Sequence, residues 1–270
     1  MCATPKTVTE SKVLDAVTPP EAQESLHLGR IRVAGVPVHI LVPNELEAII
    51  AGALRSDEPF QIVFLRLWDL MRAKWNGEYK RMLEQAGLVL PVSRAILFGA
   101  RFQEKRAPVR YSPFEFVIRV FGMLERRNHS LYLLGGRPAE LKRVDGNLRR
   151  TFPGLRLLGR YVGTYPKTHH DAILTALRKA APDFTLIGPG PAARERWVAR
   201  NRAFLAPGIY LWSAEVFDIL AEKRSRVPRE AFDRGTDFLH DGLRRPWRLL
   251  RLPVYAWYLL LLLYHRVRHL

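Results

Sequence analysis

The chain predicts an α/β fold: a doubly wound, mostly parallel, Rossmann-like sheet followed by a helical, basic C-terminal appendage. Three observations point there. Short apolar runs of strand length recur through the second half, at Leu131–Leu134, Leu155–Leu158, Phe184–Ile187 and Ile209–Trp212. Between them stand segments with helical spacing: Leu141, Val144, Leu148 and Phe152, then Ile173, Leu174 and Leu177, then Ala214–Ala221. Glycine turns, Gly135-Gly136, Gly163 and Gly188–Pro191, follow three of the strands. Strands and helices alternating at this spacing imply parallel pairing, and ligands of such sheets sit beyond the strands' carboxyl ends.

The first half is less regular. Ile31–Ile40 alternates around Gly35 and Pro37, which predicts a small hairpin or bent edge strand. Asn44 with Glu47 predicts a helix cap ahead of Leu46, Ile49, Ile50 and Ala53. Gln61–Leu65 and Leu88–Leu90 have strand character. Helical segments are expected around Trp68, Met71, Trp75, Tyr79, Met82 and Leu83, over Ala95–Phe102, and over Pro113–Leu124.

Composition bounds the function. The 270 residues divide into a polar extension (1–28), an α/β domain (29–222) and an appendage (223–270). Residues 1–28 lack an apolar core and read as a mobile extension, not a secretory signal. A formal net charge of +17 calls for an anionic partner. Cys2, the one cysteine, excludes an internal disulfide and fits a reducing compartment. The eight histidines, His169-His170 included, lack metal-ligand spacing, so neither metal nor cofactor is expected, and that pair is expected to face solvent. No phosphate-binding P-loop or nucleophile elbow is present, and the charge forms no nucleic-acid motif.

From Lys223 to Leu270 eleven Lys/Arg face four Asp/Glu, and Leu252–Tyr264 is an almost wholly apolar run of 13 residues. A spanning helix needs ~20, so the run is too short to cross a bilayer alone. Trp247, Tyr255, Trp257, Tyr258 and Tyr264 favour a membrane–water boundary, and the flanking arginines an anionic surface. An interfacial helix is expected; a buried core helix or a dimer surface is the competing reading.

The stretch Pro182–Arg202 is where chemistry is expected. It predicts a strand, a tight Gly188–Pro191 loop, then a helix from about Ala192. Gly188 and Gly190 would let backbone approach a ligand, and the helix start would offer N–H groups to an anion beside Arg194 and Arg196. An ordinary strand-to-helix turn uses the same residues.

Taken together, these residues resemble the bacterial WecG/TagA/CpsF glycosyltransferases, the N-acetylmannosaminyltransferase family, over roughly Ile31 to Leu250. Gly188-Pro-Gly190-Pro-Ala-Ala-Arg-Glu195-Arg-Trp197 resembles the family's Gly-x-Gly-x-Pro-x-Gln-Glu-x-Trp. Phe217-Asp218 matches a family Phe-Asp. Arg226-Val-Pro228, Gly235-Thr-Asp237-Phe238 and Pro246-Trp-Arg248 follow the spacing of Arg-Ala-Pro, Gly-Leu-Glu-Trp and Pro-x-Arg. The resemblance implies transfer of a sugar from a UDP-sugar donor to a lipid-linked, undecaprenyl-diphosphate-type acceptor, with inversion and without an obligatory metal. It also implies a peripheral place on the cytoplasmic membrane face, with the basic tail at the active site; a homo-oligomer is possible. On that basis Gly135, Gly136, Gly188, Gly190, Arg194, Asp218, Arg226 and Arg248 are expected at the donor.

Several positions depart from the family. Phe64 and Arg66 stand in place of Thr-x-Asn, Arg194 in place of Gln, and Ala214-Glu215 in place of Gly-Gly. Val92-Ser93 stands where the family carries an Asp-Gly whose Asp is the leading candidate for general base. Valine cannot accept a proton. Glu195 and Asp69 are therefore the expected catalytic carboxylates, with Glu115 and Asp218 as further candidates. Otherwise the protein binds without catalysing, as a membrane scaffold.

Overall fold

The computed structural model describes residues 28–103, 106–192, 194–234 and 252–267. The extension read over 1–28, except Leu28 itself, lies outside them. So do the Gly235–Phe238 and Pro246–Arg248 matches and Trp247.

The chain opens with a hairpin. β1 (Gly29–Val33) pairs antiparallel with β2 (Val36–Ile40). It turns through Ala34 and Gly35 at φ 48° and 79°, the two left-handed residues that a tight hairpin of this twist requires. The other strands are β3 (Pro59–Leu65), β4 (Leu88–Pro91), β5 (Ser130–Leu134), β6 (Arg156–Tyr161), β7 (Phe184–Ile187) and β8 (Gly208–Trp212). They form one sheet in the order β4-β3-β8-β7-β5-β6, with every pair parallel.

Strand alternation decides the layers. Ile62 of β3 faces one side and Val63 and Leu65 the other, each buried in a separate apolar cluster. The helices follow in chain order: α1 (Leu46–Leu54), α2 (Leu67–Trp75), α3 (Gly77–Gln85), α4 (Arg94–Phe102), α5 (Pro113–Arg126), α6 (Pro138–Thr151), α7 (His170–Ala180), α8 (Arg196–Asn201) and α9 (Ala214–Leu220). α1, α5, α6 and α9 cover the first face through Ile50, Phe116, Val144 and Phe217. α2, α3, α4, α7 and α8 cover the second through Met71, Tyr79, Ile96, Leu177 and Trp197. A fully buried side chain of this size contributes roughly 1.5–3 kcal/mol, so the two faces together hold the sheet.

Past α9 come α10 (Arg229–Arg234) and α11 (Leu252–Val267). α11 is 16 residues long, and no helix among the described residues is long and apolar enough to cross a membrane. The core-helix reading holds for one side of it. Tyr258 and Leu262 are buried in the second-face core, and the Tyr258 hydroxyl donates to the Ala95 carbonyl at 3.0 Å. Gly99 of α4 makes room for that ring, because any Cβ there would overlap the Tyr258 hydroxyl. Val254 and Leu261 pack against the same core, whereas Tyr255, Trp257, Leu259, Leu260, Leu263 and Tyr264 are about half exposed (48–59%).

Four local expectations are corrected. The residue before α1 is Glu45, not Asn44, and its carboxylate accepts the Val42 N–H at 3.3 Å. The expected strand start at Leu155 moves to Arg156, because the Leu155 N–H is spent on a turn to the Phe152 carbonyl. The expected helix at Ala192 begins at Arg196, because Arg194 sits at φ 52° and prolines precede it. Finally, His169 is exposed but His170 is half-buried: its ring stacks on Tyr165 and its Nε2 lies 2.9 Å from the Asn201 side-chain oxygen.

Two glycine substitutions test this packing with opposite signs. Gly163→Ala drives a methyl into the Pro189 carbonyl and the Gly135 backbone, and should cost about 1–3 kcal/mol in urea unfolding. Gly146→Ala, on the exposed side of α6 with nothing within 4 Å, should stabilise by about 0.5–1 kcal/mol.

Candidate functional site

Chain direction reverses at the carboxyl edge between β5 and β7. From β5 the chain goes outward to the edge strand β6; from β7 it returns inward to β8. Such a switch point opens a crevice in an open parallel sheet. Here the glycine loops close much of it. The Gly136 N–H donates to the Pro189 carbonyl at 2.7 Å, Gly163 to Gly136 at 2.9 Å, Gly135 to Tyr161 at 2.9 Å and Gly188 to Leu134 at 2.8 Å. A Cβ on Gly135 would lie 2.5 Å from Gly188 Cα, and one on Gly136 would lie 2.5 Å from the Phe217 ring. The glycines thus let backbone meet backbone; of this group, only the Gly190 N–H is not accounted for by these bonds.

Around this edge the other expected residues fall as follows. Arg194 is exposed beside the loop, and Arg226 is exposed beyond α9. Asp218 lies inside α9 rather than at its start, 3.7 Å from the Lys223 ammonium, which also binds Glu140 at 3.0 Å. Arg248 lies outside the described residues.

Glu195 and Asp69 come together on the second face, between α8 and α2. Asp69 accepts the Arg66 N–H at the start of α2, at 3.4 Å. The Glu195 carboxylate is 15% exposed, with one oxygen buried and unbonded and Arg72 4.0 Å away. Burial pushes its pKa up, and the Asp69 charge adds to this. The Tyr79 hydroxyl beside them is buried and unbonded, and burial together with both carboxylates raises its pKa. Arg196, mostly buried, and Arg200, half exposed, clasp Glu78 at 2.6 Å each. The hydrogen bond from Arg200, with Arg196 beside it, holds the Glu78 carboxyl down to about 2.

A groove at the β4 end of the same edge escaped the sequence reading. Arg110, Tyr111, Glu115, Arg119, Arg229 and Phe232 line it, and the starts of α1 and α5 face it with Pro43, Leu46 and Ser112. The segment before α5 is tied to the strand end: the Tyr111 N–H donates to the Pro91 carbonyl at 3.1 Å and Arg110 Nε to the Val92 carbonyl at 2.6 Å. Arg110 also donates to the Phe232 carbonyl at 2.7 Å and lies 3.8 Å over its ring, so α10 forms one wall. Two helix N-termini and three guanidinium groups make this an anion-attracting surface. The available signal was Ser112-Pro113 opening a helix beside basic residues; nothing in the spacing joined it to Arg229.

Comparison with protein families gives one finding: the model described as the glycosyl transferase WecG/TagA/CpsF family matches residues 31–269. Comparison with curated proteins finds no match.

Ionising Glu195 costs stability, because its folded pKa lies above the unfolded value. That cost is absent in acid and grows as pH rises above the ordinary glutamate range near ~4.3. Glu195→Gln should therefore become progressively more stable than the parent as pH rises above the ordinary glutamate range, read as the difference in melting temperature. A difference independent of pH would contradict this account of the site.

Proposed function

This chain belongs to the glycosyl transferase WecG/TagA/CpsF family, and from that premise we propose that it transfers a sugar from a UDP-sugar to a lipid-linked, undecaprenyl-diphosphate-type acceptor in bacterial envelope polysaccharide synthesis. The work is done from the inner face of the cell membrane. The observation that carries the reading is the arginine-lined groove at the carboxyl edge, walled by α10 of the appendage. Guanidinium groups bind diphosphates in paired hydrogen bonds, and helix N-termini add N–H donors.

The donor lies over Gly135-Gly136 and Gly188–Gly190, with Arg194 and Arg226 around its diphosphate and Asp218 beside it. Glu195 and Asp69 set the charge under that end. In the transfer the acceptor hydroxyl oxygen bonds to the anomeric carbon, the bond to the donor phosphate breaks, UDP leaves, and a carboxylate takes the hydroxyl proton. The exposed side of α11 meets the lipid headgroups, its tryptophan and tyrosines at interfacial depth. A second reading, binding without transfer, is favoured by Val92, a buried residue without a titratable group at the end of β4.

A panel of UDP-sugars with a lipid-diphosphate-linked sugar acceptor tests the reaction: UDP should raise the melting temperature saturably, and one donor should give product. Binding without product selects the second reading; neither binding nor product overturns both. For the membrane, Trp257→Glu with Leu260→Glu changes only exposed positions. It should cut binding to anionic vesicles by roughly tenfold or more, and undiminished binding would remove α11 from the role.

A further inference from the structure

The groove contains a carboxylate as well as its arginines. Glu115, in the first turn of α5, is half-buried there, and no hydrogen bond or ion pair holds it among the described residues. That is unusual beside so much positive charge. The fixed geometry of Arg110 accounts for part of it, because this guanidinium is spent on the Val92 and Phe232 carbonyls and on the Phe232 ring. Arg119 is exposed and likewise makes no hydrogen bond or ion pair among the described residues. An unpaired carboxylate and arginines facing one open groove can divide the work between them: the cations hold an anion, and the carboxylate accepts a proton.

The other acidic candidates are placed differently. Glu195 is mostly buried against α2 and α8, and Asp69 caps the backbone of α2. Asp218 pairs with Lys223. None of the three lines this groove.

We propose that Glu115 is the general base of the transfer, and that Arg119 and Arg229 hold the diphosphate of the lipid-linked acceptor. This rests on the transferase reading above. The proton of the attacking acceptor hydroxyl passes to the Glu115 carboxylate as the new glycosidic bond forms and UDP departs with the electron pair of the broken bond.

The test uses the full chain, the productive UDP-sugar and the same acceptor. Glu115→Gln should lower kcat by ~10²–10⁴-fold while KM for both substrates changes by less than ~3-fold. It should also erase the acid limb of the pH–rate profile, and Glu115→Asp should recover part of the rate. Arg119→Ala should instead raise KM for the acceptor alone. A Glu115→Gln enzyme within ~10-fold of the parent kcat, or loss of turnover confined to Glu195→Gln or Asp69→Asn, overturns the assignment and leaves the transferase reading standing. A parent that binds UDP but turns over no donor overturns both.

Discussion

The contact on which the architecture depends is backbone against backbone at the carboxyl edge. Loops after β5, β6 and β7 meet at Gly135, Gly136, Gly163, Gly188 and Gly190, where side chains would drive them apart. Their N–H groups and carbonyls satisfy one another, so three strand ends are joined without a core of their own. That junction aligns the switch point of the sheet. It also seats Phe217 beneath Gly136 and Gly188, tying α9 and the start of the appendage to the same spot. A surface built this way is rigid and leaves few loop amides open, so what it presents outward is set by the side chains brought around it.

Charge is divided between structural and available uses. Arg160 and Arg149 neutralise the buried Asp145, Arg196 and Arg200 clasp Glu78, and Arg66 pairs with Glu215 across the ends of β3 and β8. The exposed ones, such as Arg200 with Glu78, contribute ~0–1 kcal/mol, so they order surfaces more than they stabilise the fold. The basic surplus that matters for an anionic substrate is the part arranged around a concavity, and the groove between α5 and α10 supplies one.

Much of the sheet was legible because its strands are buried on both faces and read as uninterrupted apolar runs. Phe184–Ile187 is found as predicted, and Ile209–Trp212 gains only Gly208. Helices with a clear stripe, such as Pro113–Arg126, were equally plain. What was hidden depends on partners distant in the chain. The break at Asn76, whose side chain accepts the Tyr79 N–H, divides one helical stretch into two. The docking of α11 depends on Gly99, more than 150 residues earlier, and local hydropathy cannot encode it. The groove is a meeting of residues near 45, 115 and 230, and its members look like ordinary surface arginines in a linear reading. The glycines were recognised, but their close packing was not: Gly135, Gly163 and Gly190 abut other main chain, and Gly136 and Gly188 abut the Phe217 ring.

Arg110 belongs to two structures at once. One guanidinium grips the end of β4 and also carries the carbonyl and ring of Phe232. Whatever displaces that side chain must loosen α10, and whatever immobilises α10 must steady the cationic wall. By thermodynamic reciprocity, filling the concavity and seating the C-terminal segment are coupled by a single free energy, felt equally from either side. The groove wall and α10 therefore share one hinge, and a perturbation introduced at either is registered at the other.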